Sequence, residues 1–128
     1  MKKETLKFIS DVMTDAGIPY DFMEFNSDIS SLDQYWIGEY QEIEALTEDG
    51  MQQSTFILTG TSKDSYVLLE STKQTIEELF PSIEGRMAIL PSGTGVAIFY
   101  ANSVPIPTGD AMLKRIKINL TIKEWKVN

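Results

Sequence analysis

Ile116-Lys117-Ile118-Asn119-Leu120-Thr121-Ile122-Lys123 decides the fold, because apolar and polar residues alternate through it without a break. Successive side chains of a strand point to opposite faces, so this stretch puts four large aliphatic groups on one side and four polar groups on the other. It predicts a strand over Ile116–Ile122, half buried and central to the core.

Such a strand needs neighbours, and the sequence before it supplies them. Arg86–Leu90 and Val96–Ala101 read as two strands around Pro91-Ser92-Gly93-Thr94-Gly95, a hairpin loop. Further back, Gln34–Thr47 and Gln53–Thr61 flank Glu48-Asp49-Gly50, a turn signal of the hairpin kind. Both parities of Gln34–Thr47 carry apolar residues (Tyr35, Ile37, Ile43 against Trp36, Tyr40, Leu46), so its inward face stays open, and a bulge is expected near Gly38. Tyr20–Phe25 reads as a short strand and Asn26–Asp33 as a polar loop.

Two segments change period. Lys2–Ala16 repeats Leu6, Ile9, Met13 and Ala16 at spacings of three and four, with Gly17-Ile18-Pro19 placed to end a helix. Ser62-Lys63-Asp64-Ser65 offers N-caps for a second helix reaching Phe80, with Leu69, Thr72, Ile76 and Leu79 as its stripe. The expected fold is one α+β domain over residues 1–128. Its sheet is mainly antiparallel, of about five to six strands, with two helices packed on one face. The order is α-β-β-α-β-β-β, with room for an extra short strand after the first helix.

Composition narrows the chemistry. The 128 residues include no Cys and no His. Disulfides, thiolate catalysis, cysteine-bound metals and the usual neutral-pH base are therefore missing. Any enzyme built on this chain would rest on carboxylates, Lys, Tyr, Ser or Thr. The net charge is −8, opposite to the basic surplus of a nucleic-acid binder. No apolar run approaches the ~20 residues of a membrane helix, and Glu4, Lys7, Asp11 and Asp15 interrupt anything resembling a secretion signal. A protein that works in the cytoplasm, away from membranes and nucleic acids and with no cofactor or metal, is expected.

The constellations are few. Gly93-Thr94-Gly95 resembles part of a phosphate loop, but Ile98 stands where a third glycine is required and a strand follows instead of a helix. Glu39, Glu42, Glu44, Glu48 and Asp49 form an acidic cluster; Glu42 and Glu44 share a strand face and could bind a divalent ion or serve as a solvated surface. Trp36, Tyr40 and Trp125 are either packing residues or stacking platforms. Val104-Pro105-Ile106-Pro107 is stiff, and its prolines withhold ladder hydrogen bonds. It is either a projecting apolar arm or a loop sealing the core. Charge is divided along the chain. Residues 1–49 hold twelve acids against three lysines, a net of −9, and residues 112–128 hold five cations against Glu124, a net of +4.

Glu39-Tyr-Gln-Glu, Thr55-Phe-Ile-Leu-Thr-Gly, Ser92-Gly-Thr-Gly-Val-Ala-Ile-Phe-Tyr and Ile116-Lys-Ile-Asn-Leu-Thr-Ile-Lys-Glu-Trp together resemble small proteins of tailed phages and prophages of Gram-positive bacteria. Size, acidity and element order are similar to the tail-terminator and head–tail-joining group. The resemblance implies a ring of identical subunits, usually six, that caps a tail tube and faces the head connector. It would assemble in the host cytoplasm and travel in the virion. The expected partners are the chain itself and other tail or connector proteins. Val104, Pro105, Ile106, Pro107, Lys114, Arg115, Glu42 and Glu44 are the candidate interface residues. The alternatives are another tail morphogenesis component, or a small ligand-binding or carboxylate-dependent enzyme domain using the acidic cluster and Trp36.

Overall fold

The computed structural model describes residues 1–26, 28–42, 50–63 and 65–126. The first helix, α1 (Lys3–Asp15), buries Thr5, Ile9, Val12 and Met13. It stops because Gly17 turns to φ +75°. Gly17 N–H then donates to Thr14 O (2.9 Å) and Ile18 N–H to Met13 O (3.1 Å), the paired bonds of a Schellman end, and Ile18 tucks into the core.

Three strands follow in two directions. β1 (Tyr20–Phe22) lies parallel to β2 (Gln34–Glu42), and β2 runs antiparallel to β3 (Gln52–Lys63). The second helix, α2 (Tyr66–Leu79), is capped by Ser65, whose Oγ accepts from Leu68 N–H at 3.1 Å. Its buried Leu69, Thr72 and Ile76 belong to the expected stripe, and Leu79, the fourth member, packs partly buried against the core. It carries the chain to the far edge of the sheet, where β4 (Arg86–Ile89) and β5 (Thr94–Pro105) form the next hairpin. β6 (Leu113–Lys126) then inserts between β5 and β3, giving the order β1-β2-β3-β6-β5-β4. The class is α+β, with mostly antiparallel pairing and both helices on one face.

The core lies between that face and the helices. Ile116, Ile118, Leu120 and Ile122 of β6 are all 1% exposed or less, and they sit beside Phe56 and Leu58 of β3 and Ile98 of β5. The ambiguity in β2 resolves through its even positions, where Trp36 and Gly38 face inward. The ladder passes Gly38 in regular register, so the expected bulge is not there. Gly38 serves a different need. A Cβ on it would lie 2.6 Å from the Phe56 ring, just as one on Gly60 would lie 2.5 Å from Trp36. Each glycine lets a fully buried ring lie flat against a neighbouring strand. The register shift falls instead in β5, between Tyr100 and Asn102.

A second expectation is corrected beyond that shift. Val104 and Pro105 are no projecting arm and no mere loop, because they belong to β5 and pair with Lys117 and Ile116. Ile106 N–H donates to Arg115 O at 3.0 Å. Hydrogen-bonding residues alternate in an antiparallel pair, so the nitrogen of Pro105 points away from β6. Among the described residues β4 pairs only with Gly95–Ile98, which leaves β5 without a strand partner on that side at Pro105, and the missing N–H removes no ladder bond.

Among the described residues no helix is long and apolar enough to cross a membrane. Leu120 sits in the middle of the inward row at 0% exposure. Leu120→Ala should lower unfolding free energy by about 2–5 kcal/mol in a urea titration. A loss below about 0.5 kcal/mol would place the core elsewhere.

Candidate functional site

The start of α1 brings together three engaged carboxylates, Glu4, Glu42 and Glu124. Lys2 occupies the N-cap position, and its side chain makes no capping hydrogen bond. Glu124 takes over that role from the far end of the sequence. It shares the inward parity of Ile116–Ile122, so β6 delivers its carboxylate beneath the helix, where it is 4% exposed. Its Oε2 accepts from Thr5 Oγ1 (2.5 Å) and from Lys2 N–H (3.1 Å). A negative group is favoured at a helix N-terminus by the unpaired N–H groups and the helix dipole. Glu4 ties the same turn to the β4–β5 loop, accepting from Ser92 N–H (3.1 Å) and Ser92 Oγ (2.5 Å). The Met1 amine contacts Glu42 at the end of β2.

A cleft of about 450 Å³ opens beside this cluster, lined by Met1, Lys2, Gly50, Gln52, Glu124, Trp125 and Lys126. Its walls are mainly apolar. Among the described residues its one carboxylate, Glu124, already serves the helix, and Lys2 and Lys126 also line it. Cysteine and histidine are absent from the sequence, so the cleft has no thiolate or imidazole to act as nucleophile or base. Among the described residues no group of three or more Asp or Glu is placed to hold a metal ion.

The residues expected at an interface fall into two groups at opposite ends of the sheet. Val104 and Pro105 with Ile106 and Pro107 meet Lys114 and Arg115 at the tip of the β5–β6 hairpin. Lys114 Nζ stands 5.5 Å over the Tyr66 ring, and Arg115 Nε–H donates to Thr61 Oγ1 at 3.2 Å. Val104 is half exposed. Glu42 lies at the other end, in line with Ser54 and Ile122. Seven residues of β6 separate that line from Arg115, or ~23 Å at strand rise. Glu44, Glu48 and Asp49 lie outside the described residues. Trp36 does not join Glu42 in a pocket. It is fully buried, with its Nε1–H bonded to Gln34 Oε1 at 3.0 Å. Tyr40 stacks on Phe22, with centroids 6.1 Å apart. Trp125 covers Gly95 and lines the cleft.

Two features escaped the sequence reading although signals for both were present. Glu124 continues the even-numbered inward row of β6, so alternation already placed it on the core side. Met87-Ala88-Ile89-Leu90 is apolar on both parities, the pattern of a strand covered on two faces. Here Leu90 is buried while Met87 and Ile89 stand 66% and 69% exposed. No protein-family model matches the chain, and no curated protein matches it.

Glu124→Ala should lower stability by about 1–3 kcal/mol, because two donors lose their acceptor. Glu124→Gln keeps an acceptor and should lose under about 1 kcal/mol. Urea unfolding of both variants beside the exposed Glu39→Ala checks this. Equal losses for Glu124→Ala and Glu39→Ala would remove Glu124 from the capping role.

Proposed function

We propose that the chain is a structural assembly subunit of tailed-phage type, a tail terminator or neck component whose copies join head to tail into a ring. The carrying observation is the amount of large apolar surface standing outside any core. Met23, Val67, Ile83, Met87, Ile89 and Met112 are each at least 60% exposed. Single exposed apolar residues are ordinary, but Ile83, Met87 and Ile89 fall together on and just before the edge strand β4, and grouped apolar surface on a small domain marks contact surface. The sequence resemblance to head–tail-joining proteins supplies the setting, with assembly in the host cytoplasm and a place in the virion.

Head-to-tail contact uses two different patches on each copy, and the division of charge suits it by disfavouring like-on-like pairing. The β5–β6 hairpin tip, with Val104, Pro105, Pro107 and Lys114, is the surface assigned to a tube or connector partner. Its prolines limit the entropy lost on docking. Another tail morphogenesis role would use the same surfaces. A small ligand-binding role is favoured by one observation, the cleft beside Trp125 and Glu124.

Sedimentation of the purified chain across concentration, with and without purified tail tubes, tests the proposal. Mass should rise with concentration, and electron microscopy should show rings at tube ends. Raising salt should slow association, because charges more than ~8 Å apart are screened at physiological ionic strength. A chain that stays monomeric throughout and never binds a tube end is not such a subunit, and the cleft then becomes the site to pursue.

A further inference from the structure

We infer that copies join through the two free edges of the sheet, β4 of one copy meeting the β1 edge of the next, a placement that rests on the self-association proposed above. The edges lie at opposite ends of the strand order. Five interstrand steps separate them, or ~24 Å. Among the described residues β4 pairs only with β5 and β1 only with β2. Free strand edges invite pairing with another chain unless something guards them.

Both edges carry exposed apolar residues, and the charged residues on the edge strands themselves differ in sign, Arg86 on β4 and Asp21 on β1. At β4, Met87 and Ile89 project from the outer face, and Ile83, in the turn before the strand, is 91% exposed. Arg86 lies on the edge strand itself, and Lys123 shares a ladder row with Ala97 and Met87. Glu84 is the one acid in this turn and strand. At the β1 edge, Met23 is 60% and Ile29 40% exposed. Asp21, Glu24, Asp28 and Asp33 flank them in sequence, and no lysine or arginine occurs between residues 20 and 33. Lys63 reaches this loop from β3, with its Nζ 3.3 Å from Ser30 O, and leaves the acids in excess. Ser30 donates from N–H (2.9 Å) and Oγ (2.7 Å) to Asp28 Oδ1. Those bonds hold the Asp28 carboxyl below its ordinary range, and Lys63 adds to the effect.

Apolar contact would supply affinity and the rims would set orientation, since two acidic edges or two basic edges repel. The contact is heterologous, so it closes into a ring when the rotation between copies allows and extends as a filament when it does not. A second copy is the occupant that fits, because this chain itself carries the complementary edge.

A mixing experiment tests the assignment. One variant carries Glu24→Lys and Asp33→Lys, so both its edges are basic. The other carries Arg86→Glu and Lys123→Glu, so both its edges are acidic. Each alone should associate about tenfold more weakly than the parent at low salt. The equimolar mixture should return to within about threefold of the parent, because every contact again joins unlike edges. Met87→Ser with Ile89→Ser changes only exposed side chains. It should weaken association about tenfold with an unchanged circular dichroism spectrum and thermal midpoint. If the parent assembles while the mixture does no better than its parts and the serine variant matches the parent, the edges are not the contact and self-association stands. A monomeric parent overturns both.

Discussion

Everything in this molecule depends on the last strand entering between its hairpin partner β5 and the much earlier β3. β1, β2 and β3 form one part of the sheet and β4 and β5 the other, and β6 alone joins them. It pairs with β3 from Gln52–Glu124 to Lys63–Leu113 and with β5 from Thr94–Lys126 to Pro105–Ile116. Its inward aliphatic row is the floor on which both helices rest. The pairing with β3 joins residues far apart in sequence, so chain entropy is lost before it forms. Topologies of this kind fold more slowly than helical bundles of similar size.

The same strand sets the start of the first helix. α1 has a strong C-terminal stop of its own, in Gly17 and Ile18, yet no side-chain cap of its own at the other end. Glu124 supplies that cap from the end of β6, and Glu4 returns a bond to the loop between β4 and β5. Part of the chain's acidity is therefore structural. Glu4, Glu42 and Glu124 each hold the N-terminal segment against a different part of the sheet. The glycines work in the opposite sense, by absence. Gly38 and Gly60 leave room for Phe56 and Trp36, the two largest fully buried rings of the sheet, on strands that would otherwise hold them apart.

Charge that is divided along the sequence becomes divided differently in space. Four of the early acids, Asp21, Glu24, Asp28 and Asp33, fall on β1 and the loop after it, at one sheet edge, while Glu4 stands at the β4–β5 loop and Glu42 at the end of β2. The basic last strand lies inside the sheet and presents Arg115, Lys117 and Lys123 from its outward parity. What the cations border is therefore the open face and, through Lys123, the apolar corner at β4. This geography, more than the net charge, gives the molecule two unlike sides.

Local periodicity carried far in the sequence. Strict alternation placed Ile116, Ile118, Leu120 and Ile122 in the core, the spacing of three and four found both helices, and Gly17-Ile18 marked the end of the first. These patterns are legible because each is written in residues a few positions apart, where backbone geometry alone decides which side chains share a face. The tertiary structure decided what depends on neighbours. It chose the even face of β2, because Gly38 had to receive Phe56 and not a bulge. It drew Val104 and Pro105 into the ladder, because the open side of β5 tolerates a nitrogen without a proton. It buried Glu124, because the helix end that needs a carboxylate lies directly above it. It left Met87 and Ile89 in solvent, because β4 lies at the edge of the strand order, and no local pattern records which strands become edges.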